Sequence, residues 1–250
     1  AAVPDLTAAL TDESQPVRRN AALALGRIGP AARSAIPDLA RALRPEEPSA
    51  AVRQFAAEAI AHIGQEATDE RQFREIERLV IDQALPALLR ALQHDTGPGV
   101  RHRAVWALFL VQDPEKAGLV GPLTAVLHER DPEIQVVRYD AARCLALRLG
   151  PRTPDKAIDV LLEMLNDDRL RIYNRTDAQV SGGGEGQTGD SRVAANLGGD
   201  ARFLAAQALA RIGPKANRPA IIAALKDAQQ SPDKRCRDEA AKALAIIQGR

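Results

Sequence analysis

The 250 residues carry 34 Lys and Arg against 33 Asp and Glu, so no bulk field draws the chain to nucleic acid or to an anionic membrane. Aromatic residues make up only 3%, which leaves Ala and Leu to build a core suited to close-packed helices rather than to a sandwich or barrel. Two distant cysteines, Cys144 and Cys236, supply neither a disulfide framework nor metal-ligand spacing, and no apolar run approaches the roughly 20 residues of a membrane helix.

The first element, Ala2–Leu10, reads A-[VI]-P-D-L-x-x-A-L and predicts a short helix of a type designated B. Val17, Ala21, Ala24, Leu25 and Ile28 then recur with helical period and predict a helix of type A. Gly29 supplies a stop and Pro30 a preset φ for restarting, after which Ile36, Leu39, Ala42 and Leu43 stripe the next B helix. The A pattern, V-R-x-x-A-A-x-A-L-x-x-I-G, returns from Val52, Val100, Val137, Ala201 and Cys236. Looser B patterns follow at Ala84–Leu92, Leu119–Leu127, Ala157–Leu165 and Pro219–Leu225. The order is therefore B, five A-B pairs, and a lone A. A single hairpin cannot bury enough apolar surface to fold, so the units must stack. Opening on B, closing on A and starting at Ala1 rather than Met all fit a processed product or an excised piece of a longer array.

Two insertions interrupt the period of 35 residues that separates Val17 from Val52 and Ala201 from Cys236. The first, about 65–82, has Phe73, Ile76 and Val80 on one stripe and predicts an extension of the following B helix or a short extra helix before it. The second, about 166–199, has room for a helical turn around Leu170, Ile172 and Tyr173. It continues into a glycine-rich run too rich in glycine for helix or strand. A loop of that length inside an array is expected to be disordered or to contact a partner.

These patterns resemble the HEAT repeat, in particular the short bacterial variety named after phycobilisome lyases. The resemblance rests on Asp12 before Val17-Arg18, Asp95 before Val100-Arg101 and Asp131 before Val137-Arg138, and it covers nearly the whole chain apart from the insertions. It implies an all-α, right-handed solenoid of paired antiparallel helices, one array over 1–250. It further implies that each Asp caps its A helix while the Arg reaches the turn of a neighbouring unit. Asp is a strong N-cap and a charge-assisted bond at a helix start is favourable, so the arrangement makes physical sense. Arg53, Arg202 and Arg237 occupy the same arginine position, with Asp200 and Asp233 closer than the family spacing.

Catalytic chemistry is hard to find. Gly182–Gly189 lacks the Lys-Ser/Thr ending and the preceding strand of a phosphate loop. His62, His94, His102 and His128 form no metal-binding spacing, and His102 with Trp106 reads as a surface stack. Asp167-Asp168 reads as a turn and cap, Asn174-Arg175-Thr176 as a chance sequon, and both cysteines as buried structural thiols. No cofactor or metal is expected.

Trp106 stands where other copies carry Leu23, Glu58, Arg143, Gln207 and Lys242, four of them polar. It is either a binding hot spot or a plug beneath the first insertion, which offers Phe73. The resemblance puts B helices on the concave face, whose outward positions include Asp5, Asp38, Arg41, Arg90 and Glu163 among Ala8, Ala87 and Ala125. Such a mixed-charge face suits a protein partner, or is merely solvated; a phosphate-tracking face would show a run of Lys and Arg. The expected function is a protein-interaction scaffold without catalysis, in the cytoplasm or, as a processed product, exported. The rivals are a bilin-lyase-like chromophore attachment factor and a HEAT-like DNA-binding or repair protein.

Overall fold

The computed structural model describes residues 2–170 and 200–249, and among them every regular element is helical. The sequon Asn174–Thr176, the turn around Tyr173, the run Gly182–Gly189 and the Asp168 carboxylate lie outside what is described. The chain divides into two compact units, Ala1–Pro122 and Leu123–Arg250.

The first unit holds α1 (Ala2–Ala8), α2 (Gln15–Ile28), α3 (Ile36–Ala42), α4 (Ala50–Gln65), α5 (Glu70–Leu79), α6 (Leu85–His94) and α7 (Pro98–Leu108), and the division falls inside α8 (Val120–Val126). The A helices α2, α4 and α7 pack side by side in one layer. The B helices α1, α3 and α6 lie against them in a second layer. Close approach of α2 to α4 needs glycine: a Cβ on Gly26 would stand 3.0 Å from the Ala59 Cα. The core between layers is aliphatic, with Leu25, Ile36, Leu39, Ile60, Ile63, Leu88 and Leu92 fully buried.

The second unit continues with α9 (Gln135–Leu149), α10 (Asp155–Leu165), α11 (Phe203–Ile212), α12 (Pro219–Ala228) and α13 (Lys234–Ile247). Here α9, α11 and α13 form the A layer and α10 and α12 the B layer. Among the described residues the order is thus B, five A-B pairs and a lone A, with α5 as the addition.

Glycines end three A helices as expected. Gly29, Gly150 and Gly213 adopt positive φ of 68°, 54° and 72°, each is followed by proline, and a 3-10 turn leads toward the next B helix. Gly64 departs from that pattern. It lies inside α4, where a Cβ would collide with the Leu110 side chain at 2.4 Å, so it serves packing rather than termination.

The first insertion combines both expected forms. Asp69 caps α5 by accepting from the Gln72 amide at 2.8 Å, and a π-helical turn over Val80–Ala84 joins α5 to α6. Pro86, in the first turn of α6, has no N–H to donate back, and the wider turn before it absorbs that missing bond. Ile76, Val80 and Ala84 are fully buried and Phe73 is half-buried, so the stripe read from sequence is the docking face.

Candidate interaction surfaces

Each A pattern carries an arginine at the same repeat position. In α2, Arg18 Nη1 donates to its own loop, to the carbonyls of Asp12 at 2.8 Å and Glu13 at 3.0 Å. Its Nε and Nη2 donate to both oxygens of Glu47, at 2.7 and 2.9 Å, in the loop that precedes α4. Arg53 repeats the geometry one unit on: Nη1 donates to the Glu47 carbonyl at 2.8 Å, and Nε and Nη2 to Asp95, before α7, at 2.7 and 3.0 Å. Each acid also accepts the backbone N–H two residues further on, Asp12 from Ser14, Glu47 from Ser49 and Asp95 from Gly97. The acids therefore shape the turn before the helix, while Ser14, Ser49 and Gly97 occupy the N-cap positions.

The other ladder residues vary. Arg101 is buried and its Nε donates to the Leu92 carbonyl at 2.8 Å. Asp131 accepts from the Glu133 amide at 2.9 Å and caps the 3-10 turn ahead of α9. Arg138 pairs with Glu163 at 2.8 Å, which ties that proposed surface residue to the ladder of the second unit. Arg202 is the most enclosed, 3% exposed against 1% for Asp200, and it also reaches Asp227 at 2.8 Å. Ser231 donates to Asp200 at 2.7 Å and completes that buried network. Arg237 Nη1 donates to the carbonyls of Ser231 and Pro232, both at 2.8 Å.

On the B layer of the first unit, α3 carries Asp38 and Arg41, paired with each other one turn apart, and neighbouring α6 carries Arg90. Arg90 is exposed, with no ion pair among the described residues. Asp38 lines a shallow groove of about 480 Å³ between α1 and α3, with Val3, Thr7, Ala8 and Ser34 among its walls. Small side chains leave that groove open.

Trp106 belongs to the other layer. Half-buried on α7, it has His102 edge-on at 5.2 Å between ring centroids and the Arg103 guanidinium 4.3 Å over its ring. His102 is only 7% exposed, so the pair is not the surface stack expected from sequence. Arg103 reaches Glu58 of α4 at 3.4 Å, and His62 stands 3.6 Å from the same carboxylate. Burial works against ionising Glu58, but the His62 bond and the Arg103 charge hold its carboxyl below the usual range. Glu58 in turn holds the His62 pKa above the ordinary histidine value. The proposed recognition residues thus fall into three places: Asp38, Arg41 and Arg90 together, Trp106 on the opposite layer, and Glu163 in the second unit.

Cys144 and Cys236 are buried and unpaired, and burial pushes each thiol up to about 12. Asp167 accepts from the Arg169 amide at 3.0 Å and from the Tyr139 hydroxyl at 3.0 Å, a turn as expected. Among the described residues no cluster of three or more His, Cys, Asp or Glu could hold a metal, and no helix is long and apolar enough to cross a membrane.

Comparison with known proteins agrees with the fold. A family model described as HEAT repeats matches residues 3–108 and 85–178, and one described as PBS lyase HEAT-like repeat matches 201–227. No curated protein sequence matches the chain. Among solved structures, an engineered protein from a structural genomics consortium is 23% identical, with TM-score 0.65 and complete coverage of both chains. A computationally designed armadillo repeat protein for modular peptide recognition is 18% identical, with TM-score 0.58, covering 98% of this chain and 99% of that one. A third, from a study of the cadherin and beta-catenin interaction, is 16% identical with TM-score 0.55, covering 98% of this chain and 44% of that one. At these identities the likeness is one of fold.

Proposed function

We propose that this chain, which belongs to the HEAT-repeat family, is a scaffold that binds another protein on the B-helix face of its first unit and performs no catalysis of its own. The observation that carries this reading is the uncommitted charge of Arg90 beside the Asp38–Arg41 pair and the open groove of α1 and α3. The arginines Arg18, Arg53 and Arg202 of the shared repeat position, by contrast, are spent on the ladder, where they hold loops and helix starts. The fitting partner is an extended segment with small side chains in the groove and a carboxylate for Arg90. A designed protein of similar fold is described as built for peptide recognition, which supports the same use of a helical face here. The buried, unpaired thiols fit a reducing compartment such as the cytoplasm.

The test is affinity capture from the source cell with three baits: the wild-type chain, the Arg41→Glu/Arg90→Glu variant and a chain lacking 181–199. Loss of a captured protein with the charge-reversed bait alone supports the reading. Equal capture by the wild-type and charge-reversed baits overturns it, and loss with the deletion alone moves recognition to the glycine-rich insert. A second reading, a chromophore attachment factor, is favoured only by the repeat matched over 201–227. Coexpression with a phycobiliprotein would then raise visible absorbance.

A further inference from the structure

The groove between α1 and α3 is lined with oxygen atoms. Thr7 and Thr11 belong to the wall formed by α1 and the 3-10 turn after it, Ser34 and Asp38 to the facing wall. The Thr7 hydroxyl donates to the Val3 carbonyl at 2.8 Å, and the Thr11 hydroxyl to the Ala8 carbonyl at 3.0 Å. A carbonyl only accepts, so the single proton of each hydroxyl is committed to its own backbone. Beyond that bond each threonine has only lone pairs to offer.

Asp38 adds a negative charge to these acceptors. Arg41 takes only its Oδ1, and Oδ2 accepts no hydrogen bond among the described residues. The pair leaves the acid uncancelled, because Arg41 is 63% exposed and screened by water, whereas the Asp38 side chain is 25% exposed. None of the residues lining the groove is basic, and Val3 and Ala8 supply apolar surface beside the oxygens. The complement of such a groove is a cation rich in N–H donors on an aliphatic stem.

We infer, resting on the protein-binding reading above, that this groove receives one basic side chain, lysine or arginine, of the partner segment. Its methylene stem lies along Val3 and Ala8, and its head group donates to Asp38 Oδ2 and to the threonine oxygens. Small side chains on either side of it fill the rest of the groove. Arg90 stands on α6, the B helix next to α3, so the carboxylate that meets it lies about 8–15 Å away at ordinary helix spacing. An extended segment covers that distance in about three to five residues. The partner therefore carries a basic residue about that far from an acidic one, with small residues around the basic one.

Selection of a random peptide library, displayed on phage, against the full chain tests it. Enriched peptides carry Lys or Arg about three to five residues from Asp or Glu. A fluorescein-labelled copy of the most enriched peptide binds the chain, read by anisotropy. Asp38→Asn in the chain weakens that binding about tenfold or more, and so does Gln in place of the peptide's basic residue. Combining the two changes weakens it little beyond either alone, because both remove one contact. Thr7→Val weakens it less, and circular dichroism confirms that each variant keeps its helices. Peptides that lose binding with Arg41→Glu/Arg90→Glu but share no basic position, or that ignore Asp38→Asn, would overturn the basic subsite and leave the protein-binding reading standing. No enrichment, or peptides indifferent to all of these substitutions, would overturn both.

Discussion

Arg53 binds Asp95 across 42 residues of sequence through two hydrogen bonds, 2.7 and 3.0 Å long, while its third nitrogen holds the Glu47 carbonyl at 2.8 Å. Both partners are nearly enclosed, with side chains 10% and 7% exposed, so one guanidinium joins the loops before two successive A helices. That enclosure separates it from the surface pairs. Asp38–Arg41 lies one helical turn apart with Arg41 63% exposed, and solvent screens such a pair.

Replacing Arg53 with Leu should therefore lower stability by about 3 kcal/mol, since Asp95 is left without its cation. Arg41→Ala should cost below about 0.5 kcal/mol. Urea titration of both variants checks the contrast; equal midpoints would show that the rung contributes nothing. Arg53→Lys should recover little, because an ammonium cannot span two oxygens and a carbonyl as the fork does.

The Asp200–Arg202 pair makes a sharper case, with side chains 1% and 3% exposed. Asp200→Ala and Arg202→Leu should each cost about 3–5 kcal/mol, because each removes the enclosed partner of a buried charge, leaving Arg202 only Asp227, or Asp200 no cation among the described residues. The double variant should cost less than the sum of the two. Additive losses in a denaturation cycle would contradict the coupling.

Gly26 should tolerate no branched side chain. Its missing Cβ would already lie 3.0 Å from the Ala59 Cα, so Gly26→Val must push α2 away from α4. We expect a loss of about 1–3 kcal/mol from this overpacking, measured as a shift in denaturation midpoint. Gly121, with nothing within 4 Å of a built Cβ, is the control position.

Stability should also depend on pH through Glu58 and His62. The His62 pKa is raised, so its contribution is full below about pH 6.5 and fades as pH climbs through the raised value. The Glu58 pKa is lowered, so its contribution is present above about pH 4.3 and fades as pH falls through the lowered value. The melting-point gap between wild type and His62→Gln should thus be widest at about pH 5–6 and narrow in alkali. A gap that is the same at about pH 5.5 and about pH 9 would remove the ion pair from the account.

Neither thiol should react in the folded chain. With Cys144 and Cys236 buried and their pKa values pushed to about 12, a thiol reagent should label both only after denaturant is added. Rapid labelling of either in buffer would show that its helix opens.

Helices, breaks and repeat order were legible along the chain because each depends on near neighbours. The stripe Val17–Ile28 sets a face, Gly29 followed by Pro30 sets a stop, and six arginines in one position announce a ladder. What those arginines hold was legible only in part. Asp95 could be picked out as an acid ahead of a repeat, but Glu47 differs from the aspartate pattern and Glu163 sits on a B helix. Their roles depend on where stacking brings loops that are far apart in sequence. The same holds for Gly64, whose pattern says stop while Leu110 makes it a packing contact, and for His102, buried despite a local pattern that reads as surface. Sequence by itself determined the unit, since helical period and turn chemistry are local. Tertiary structure alone decided which charges are consumed inside the stack and which, like Arg90, remain available, because burial is a property of neighbours that the local pattern does not contain.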